Sequence, residues 1–143
     1  MKRFSILILA LFLCTATSAS AYTALSGTDI SLKNPVSDDV YVAGSEVNID
    51  QPVSGDLTVF GGTVHVYEDV SGDVLVAGGR VVIHSNVGGD VRVAAGMVTI
   101  SGNVKGDLIM AGSILDLSRT ATVGGSVMVH GGMVTLEGNV SEH

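Results

Sequence analysis

The chain has 143 residues, with 14 acidic side chains against 7 basic ones, a single Cys and no Trp. Apolar residues make up 46% and charged residues 15%, which excludes a disordered acidic tail, and one Cys excludes a disulfide scaffold. The net charge of −7 argues against a nucleic-acid binder, and 19 Gly alongside only 2 Pro excludes a collagen-like chain.

Lys2 and Arg3 make a short basic start, Phe4 to Cys14 is apolar apart from Ser5, and Ala19-Ser20-Ala21 has the small-x-small form of a cleavage site. This is the layout of a secretory signal peptide over residues 1–21, with the mature chain expected to begin at Tyr22. Cys14 follows Leu13, where a lipid-modified Cys would follow a small residue, so lipidation is not expected. The apolar run is shorter than the roughly 20 residues that span a bilayer, so retention as an anchor is the alternative rather than the expectation. Cleavage would remove the only Cys and leave five basic and fourteen acidic residues, a net charge of −9.

From Tyr22 onward the chain is one repeat. Gly-Asp recurs at Gly55-Asp56, Gly72-Asp73, Gly89-Asp90 and Gly106-Asp107, spaced by 17 each time. Units of 17 residues begin at 22, 39, 56, 73, 90 and 126, and the unit at 107 has 19, with its two extra residues near Arg119 to Thr122. A fixed short period is the mark of a stacked architecture. Positions 2, 4, 9, 11 and 15 of the unit are aliphatic almost throughout, as in Val74, Val76, Val81, Ile83 and Val87. The alternation has period two and is dominated by Val and Ile, so the elements are strands. Gly at positions 6 to 7 and 17 marks corners, where positive φ or tight packing is expected.

The expected fold is therefore all-β: a single-domain parallel β-helix over residues 22–143, with about seven coils of 17 residues and three short strands per coil. Its five aliphatic columns would fill a dry core. Right-handed winding is expected from the general preference of parallel crossovers.

The unit VSGDVLVAGGRVVI, Val70 to Ile83, resembles the repeat of the bactofilin family of polymer-forming bacterial cytoskeletal proteins. The resemblance runs from about Asp38 to Val140, and more weakly over Tyr22 to Ser37. It implies a right-handed β-helix whose ends associate into filaments without a nucleotide, and a scaffold role often exercised at a membrane. Bactofilins are usually cytoplasmic and carry disordered tails. Here a signal peptide leads directly into the first coil, so the expected place is the periplasm, the cell envelope or the outside of the cell.

Asp39, Asp56, Asp73, Asp90 and Asp107 form one column, which could bind cations or could accept hydrogen bonds from its own turns; the second is the expectation. His65, His84 and His130 occupy three different repeat positions and His143 lies beyond the repeat, so no metal site is expected from them. No Ser-His-Asp arrangement is recognisable, and the Gly pairs do not sit between a strand and a helix as a phosphate loop requires. The expectation is a protein with no catalytic residues and no cofactor.

Two surfaces remain. Tyr41, Phe60, Leu75, Ile109 and Met128 face outward and make an apolar strip that could bind a partner. The last coil, with Val127, Val129, Val134, Leu136 and Val140, has the same core residues as an internal one and only Ser141, Glu142 and His143 after it, so it is expected to be an open, self-associating end. The sequence thus points to an exported structural protein whose partner is itself, as oligomer or filament. Envelope proteins, a membrane surface or cell-wall polysaccharide are further candidate partners. The alternative is a secreted adhesin-like β-helix that binds a polysaccharide or a protein.

Overall fold

Alternating Val and Ile can bury one face only of an extended backbone, and a 17-residue period lets each unit pair only with the units before and after it. The computed structural model describes residues 22–141 and shows this arrangement, a β-solenoid of about seven coils. The signal-peptide reading of residues 1–21 lies outside the described residues. The main strands are β1 (Tyr22–Ser31), β2 (Asp39–Ile49), β3 (Leu57–Val66), β4 (Val74–Ile83) and β5 (Val91–Ile100). After the short β6 (Asn103–Val104) come β7 (Leu108–Leu117), the short β8 (Thr122–Val123), β9 (Val127–Leu136) and the short β10 (Asn139–Val140). No helix occurs among the described residues.

One parallel sheet holds seven strands in the order β1-β2-β3-β4-β5-β7-β9, in a register that repeats the sequence period, as in Val40↔Leu57↔Val74↔Val91↔Leu108↔Val127. The first two arms of each coil run on as one strand of ten or eleven residues, but their pairing breaks between them: Gly44 pairs with Gly61, Ser45 and Gly62 are skipped, and Glu46 resumes with Thr63. The third arm is a narrow ladder, Val36↔Val53↔Val70↔Val87↔Val104, continued by β6, β8 and β10. Three arms per coil are therefore present, two of them fused.

The five aliphatic columns all point inward. In the five coils from Val40 to Val123, no residue of positions 2, 4, 9, 11 or 15 is more than 4% exposed. A buried Val or Ile contributes about 1.5–3 kcal/mol over an exposed one, so this continuous column carries the fold.

The glycines serve close approach and not unusual dihedrals. No described residue, glycine or other, has a positive φ, which corrects one of the two reasons expected for them. A Cβ on Gly61 would lie 2.8 Å from the carbonyl oxygen of Gly44 one coil below. A Cβ on Gly72 would fall on Asp56 Oδ1 and the Gly55 carbonyl.

The two extra residues form a small outward turn. The offset between coils is 17 up to Ile100↔Leu117 and 19 from Asn103↔Thr122, so the turn lies within 118–121. Ala121 N–H donates to the Ser118 carbonyl at 2.9 Å, and Thr120 Oγ1 donates to the Ser101 carbonyl at 3.0 Å. Ala121 is fully buried and adds to the core, a role its place in an insertion did not suggest.

Candidate functional site

The Gly-Asp dipeptide is a stacking device. The N–H of Asp56 donates to Asp39 Oδ1, and the same 2.8 Å bond links Asp73 to Asp56, Asp90 to Asp73, Asp107 to Asp90 and Ser126 to Asp107. The acceptor role is as expected, but the donor belongs to the next coil and not to the residue's own turn. Glycine before each Asp leaves room for the carboxylate below it. Position 14 carries a second ladder on the third arm, where Asn86 N–H donates to Asp69 Oδ1 at 3.0 Å and Asn103 N–H to Asn86 Oδ1 at 3.1 Å. Among the described residues no three His, Cys, Asp or Glu side chains converge as a metal would require.

The histidines are arranged differently from the expectation that they stand apart. His65 and His84 are joined through Tyr67 in a stack of three near-parallel rings, each step 5.5 Å between centroids. The signal was present, since Tyr67 and His84 both occupy position 12. His84 Nδ1 lies 3.2 Å from Ser101 Oγ, and that hydroxyl donates to the Ile83 carbonyl at 3.4 Å. The Ser101 proton is thus engaged by the backbone, and the pair clips two coils together.

The outward strip is where the repeat places it. Tyr41, Phe60, Leu75, Ile109 and Met128 are all between 37% and 66% exposed, on positions 3 and 5 of the first arm. At its N-terminal end Tyr22 and Tyr41 meet edge to face, 5.9 Å between centroids. The third arm instead carries a polar groove of about 460 Å³ lined by Asp69, Ser71, Asn86, Gly88, Asn103 and Lys105 among others.

The two ends of the core differ. In the last coil Val127 and Val129 are half-buried, while Val134, Leu136 and Val140 are 40%, 50% and 44% exposed. Met133 and Met128 stand exposed beside them. In the first coil the equivalents of Val134 and Leu136 are Ile30 and Leu32, only 8% and 4% exposed. Pro35 shares this end. Position-14 N–H groups point toward the preceding coil, as Asn86 and Asn103 show, so the donor that Pro35 lacks would have faced off the rod. Pro52 repeats the residue because its missing donor faces Pro35, which offers no side-chain acceptor.

Charge follows the same axis. Residues 22–72 hold eight carboxylates and one lysine, net −7, whereas residues 73–143 hold six carboxylates and four cations, net −2. The one carboxylate of the last described coil, Glu137, pairs with Arg119 at 3.8 Å. The C-terminal end is thus apolar and nearly neutral, and the N-terminal end is acidic.

Compared with protein families, with curated proteins and with solved structures, the chain matches none.

Proposed function

We propose that this protein is a non-enzymatic structural element, exported to the bacterial envelope, that self-associates through the end of its β-solenoid into oligomers or filaments. The observation that carries the reading is the last coil, where three residues of the core columns stand 40% to 50% exposed on a ladder edge. Such an edge offers unpaired backbone donors and acceptors together with the side chains of a core, the combination that a second copy can complete. Methionine at 128 and 133 suits the joint, because its flexible thioether adapts to an imperfect fit. The acidic N-terminal halves favour C-terminal ends meeting each other, since that places the two net −7 regions farthest apart. Contact between two like ends about a two-fold axis closes as a dimer, and growth into a filament requires the N-terminal end to engage as well. The resemblance to bactofilins supports the same reading.

The test is the mass of the repeat domain, residues 22–143, across a concentration series, with electron microscopy of the same samples. Among the described residues the buried core runs from Ile30 to Val123, with Leu25, Val127 and Val129 packed against it, all within this piece. Mass that rises with concentration, and falls to monomer in Val134→Lys, is the expected result. A monomer at every concentration overturns the reading. Export is tested by N-terminal sequencing of the protein recovered from a bacterial host, where a start at Tyr22 is expected.

A second reading, a secreted module that binds a polysaccharide, draws on the polar groove. Its amide, hydroxyl and Lys105 groups are those that hydrogen-bond sugars. Titration with cell-wall glycan fragments against Asn86→Ala tests it.

A further inference from the structure

Positions 3 and 5 of the first arm supply fourteen outward side chains, two from each coil, aligned by the strand register. None of them is a carboxylate, although the chain has fourteen acidic residues. The only formal charge among them is Arg92. For two copies of an acidic chain, this is the face that can meet without stacking carboxylates on carboxylates.

Its relief has a rule. In each of the five middle coils one of the two positions is large and the other is small: Tyr41 with Ala43, Phe60 with Thr58, Leu75 with Ala77, Arg92 with Ala94, Ile109 with Ala111. The hollow beside Tyr41, Ala43 and Phe60 has a volume of about 220 Å³ and an almost wholly apolar lining. A two-fold axis parallel to the rod axis exchanges the two rows while keeping every coil at its own level. Position 3 of one copy then lies over position 5 of the other, so Leu75 faces the partner's Ala77 and Ile109 faces the partner's Ala111. The exceptional coil obeys too, because Phe60 of one copy faces the partner's Thr58. A two-fold axis perpendicular to the rod would instead place large on large along one row and leave the alanine row empty.

We propose that this face is a side-by-side interface with a second copy of the chain, the two rods pointing the same way and packed sheet to sheet in register, coil against coil. The proposal does not depend on association through the ends. Seven strands about 4.8 Å apart and five residues at about 3.3 Å each give a projected face of roughly 30 by 15 Å. Side-chain relief raises the area buried by two such faces to on the order of 1,000 Å², the lower limit for a specific contact. A weak pair is therefore expected. Asp39, Asp56, Asp73, Asp90 and Asp107 border the face at position 1, with Asp29 and Glu46 against the single cation Arg80 at position 8, and the proposed axis brings these net acidic rims of the two copies together. Added salt screens that repulsion, so the pair tightens with ionic strength, the reverse of an ion-paired contact.

The experiment is cross-linking in residues 22–143, which lack Cys14. Equimolar Tyr41→Cys and Ala43→Cys chains, from the same coil, are mixed and oxidised. A parallel mixture combines Ala43→Cys with Ala111→Cys, which face each other only if the rods run oppositely. A dominant heterodimer in the first mixture, more abundant at higher salt and lost when Ala77→Glu is added to both chains, is the expected result. Circular dichroism of the Ala77→Glu chain confirms that this outward substitution leaves the fold intact. Cross-linking in the second mixture instead, or in neither, or insensitivity to Ala77→Glu, overturns the proposal. A failure of end association would show separately, as a native mass indifferent to Val134→Lys.

Discussion

Ile30 and Val134 hold the same place in the repeat, as do Leu32 and Leu136, yet the first of each pair is buried and the second stands 40% to 50% exposed. Around the first pair lie a proline that withholds an outward donor and a net charge of −7 over three coils. Around the second pair lie two exposed methionines and, among the described residues of that coil, one carboxylate, which is paired with Arg119. The ends of a solenoid built from near-identical units differ through the direction of winding, which exposes opposite sides of the coil, and through the few residues that depart from the unit. Those departures make the rod polar in chemistry although its fold is uniform. Under the proposed function they assign adhesion to one end and repulsion to the other.

The comparison is broken most forcefully in the core column itself. Ile83→Ala, at position 11 of a central coil, should cost about 2–5 kcal/mol of unfolding free energy, because both neighbouring coils prevent the cavity from closing. Leu136→Ala, in the same column at the end, should cost less than about 1 kcal/mol in dilute solution, where half of the side chain already meets water. Denaturant unfolding measures both. A Leu136→Ala cost that climbs with protein concentration would show that a second copy covers the end, while equal costs at all concentrations would erase the distinction between the ends.

Val134→Lys sharpens the same contrast by association. A lysine at a half-exposed position can reach water, so the monomer should lose little stability, but in a closed joint its charge would be buried without a partner. Weakening of self-association by at least about tenfold is expected from truncating or charging a central interface residue. Sedimentation of the wild type and the variant over one concentration series reads the effect directly. An unchanged distribution would remove the last coil from the interface.

A smaller effect comes from the ladders. Asp73→Ala deprives the Asp90 N–H of its acceptor and should cost about 1–2 kcal/mol, the usual range for a charge-assisted bond that is partly open to solvent. Asp73→Asn should restore most of that, since Asn86 already performs the same task for Asn103 one arm away. Thermal melts of the three chains rank them. If Asn and Ala behave alike, the carboxylate charge matters beyond its hydrogen bond.

Most of the fold was legible because it is written seven times. One Val at position 9 says little, but Val47, Val64, Val81 and Val98 at a spacing of 17 fix strand, register and core together. The strip of Tyr41, Phe60, Leu75, Ile109 and Met128 was legible for the same reason, since period two sends the residues between core positions outward. What the repeat could not convey was anything that happens once. Ala121 reads as part of a polar insertion, yet the turn it closes folds its methyl inward. The partner of each aspartate was misread because local turns are the commoner acceptor geometry, whereas in a coil the nearest unsatisfied N–H is a whole period away. The Tyr67–His84 stack is not visible in the spacing of the histidines, because it joins His84 to the aromatic ring that shares its column. Burial of Ile30 and Leu32 was not foreshadowed either, since their own repeat positions are identical to those at the exposed end.

The two prolines offer the finest test of the difference between the ends. Pro35→Ala and Pro52→Ala both release the unfolded chain from a fixed φ, and each should lower stability by about 0.4–1 kcal/mol. They should part company in association. Alanine at 52 adds an N–H directed at Pro35 of the neighbouring coil, where it finds no side-chain acceptor and is not presented at an end of the rod. Alanine at 35 adds an N–H at the N-terminal edge, directed off the rod, and so supplies one of the donors that strand pairing with another copy needs. Equal melts with a larger mass for Pro35→Ala alone would establish that proline, and not charge by itself, blunts that edge. If the two variants match in mass as well, the acidic coils suffice to keep the N-terminal ends apart, and raising the salt concentration should then bring them together where neither substitution did.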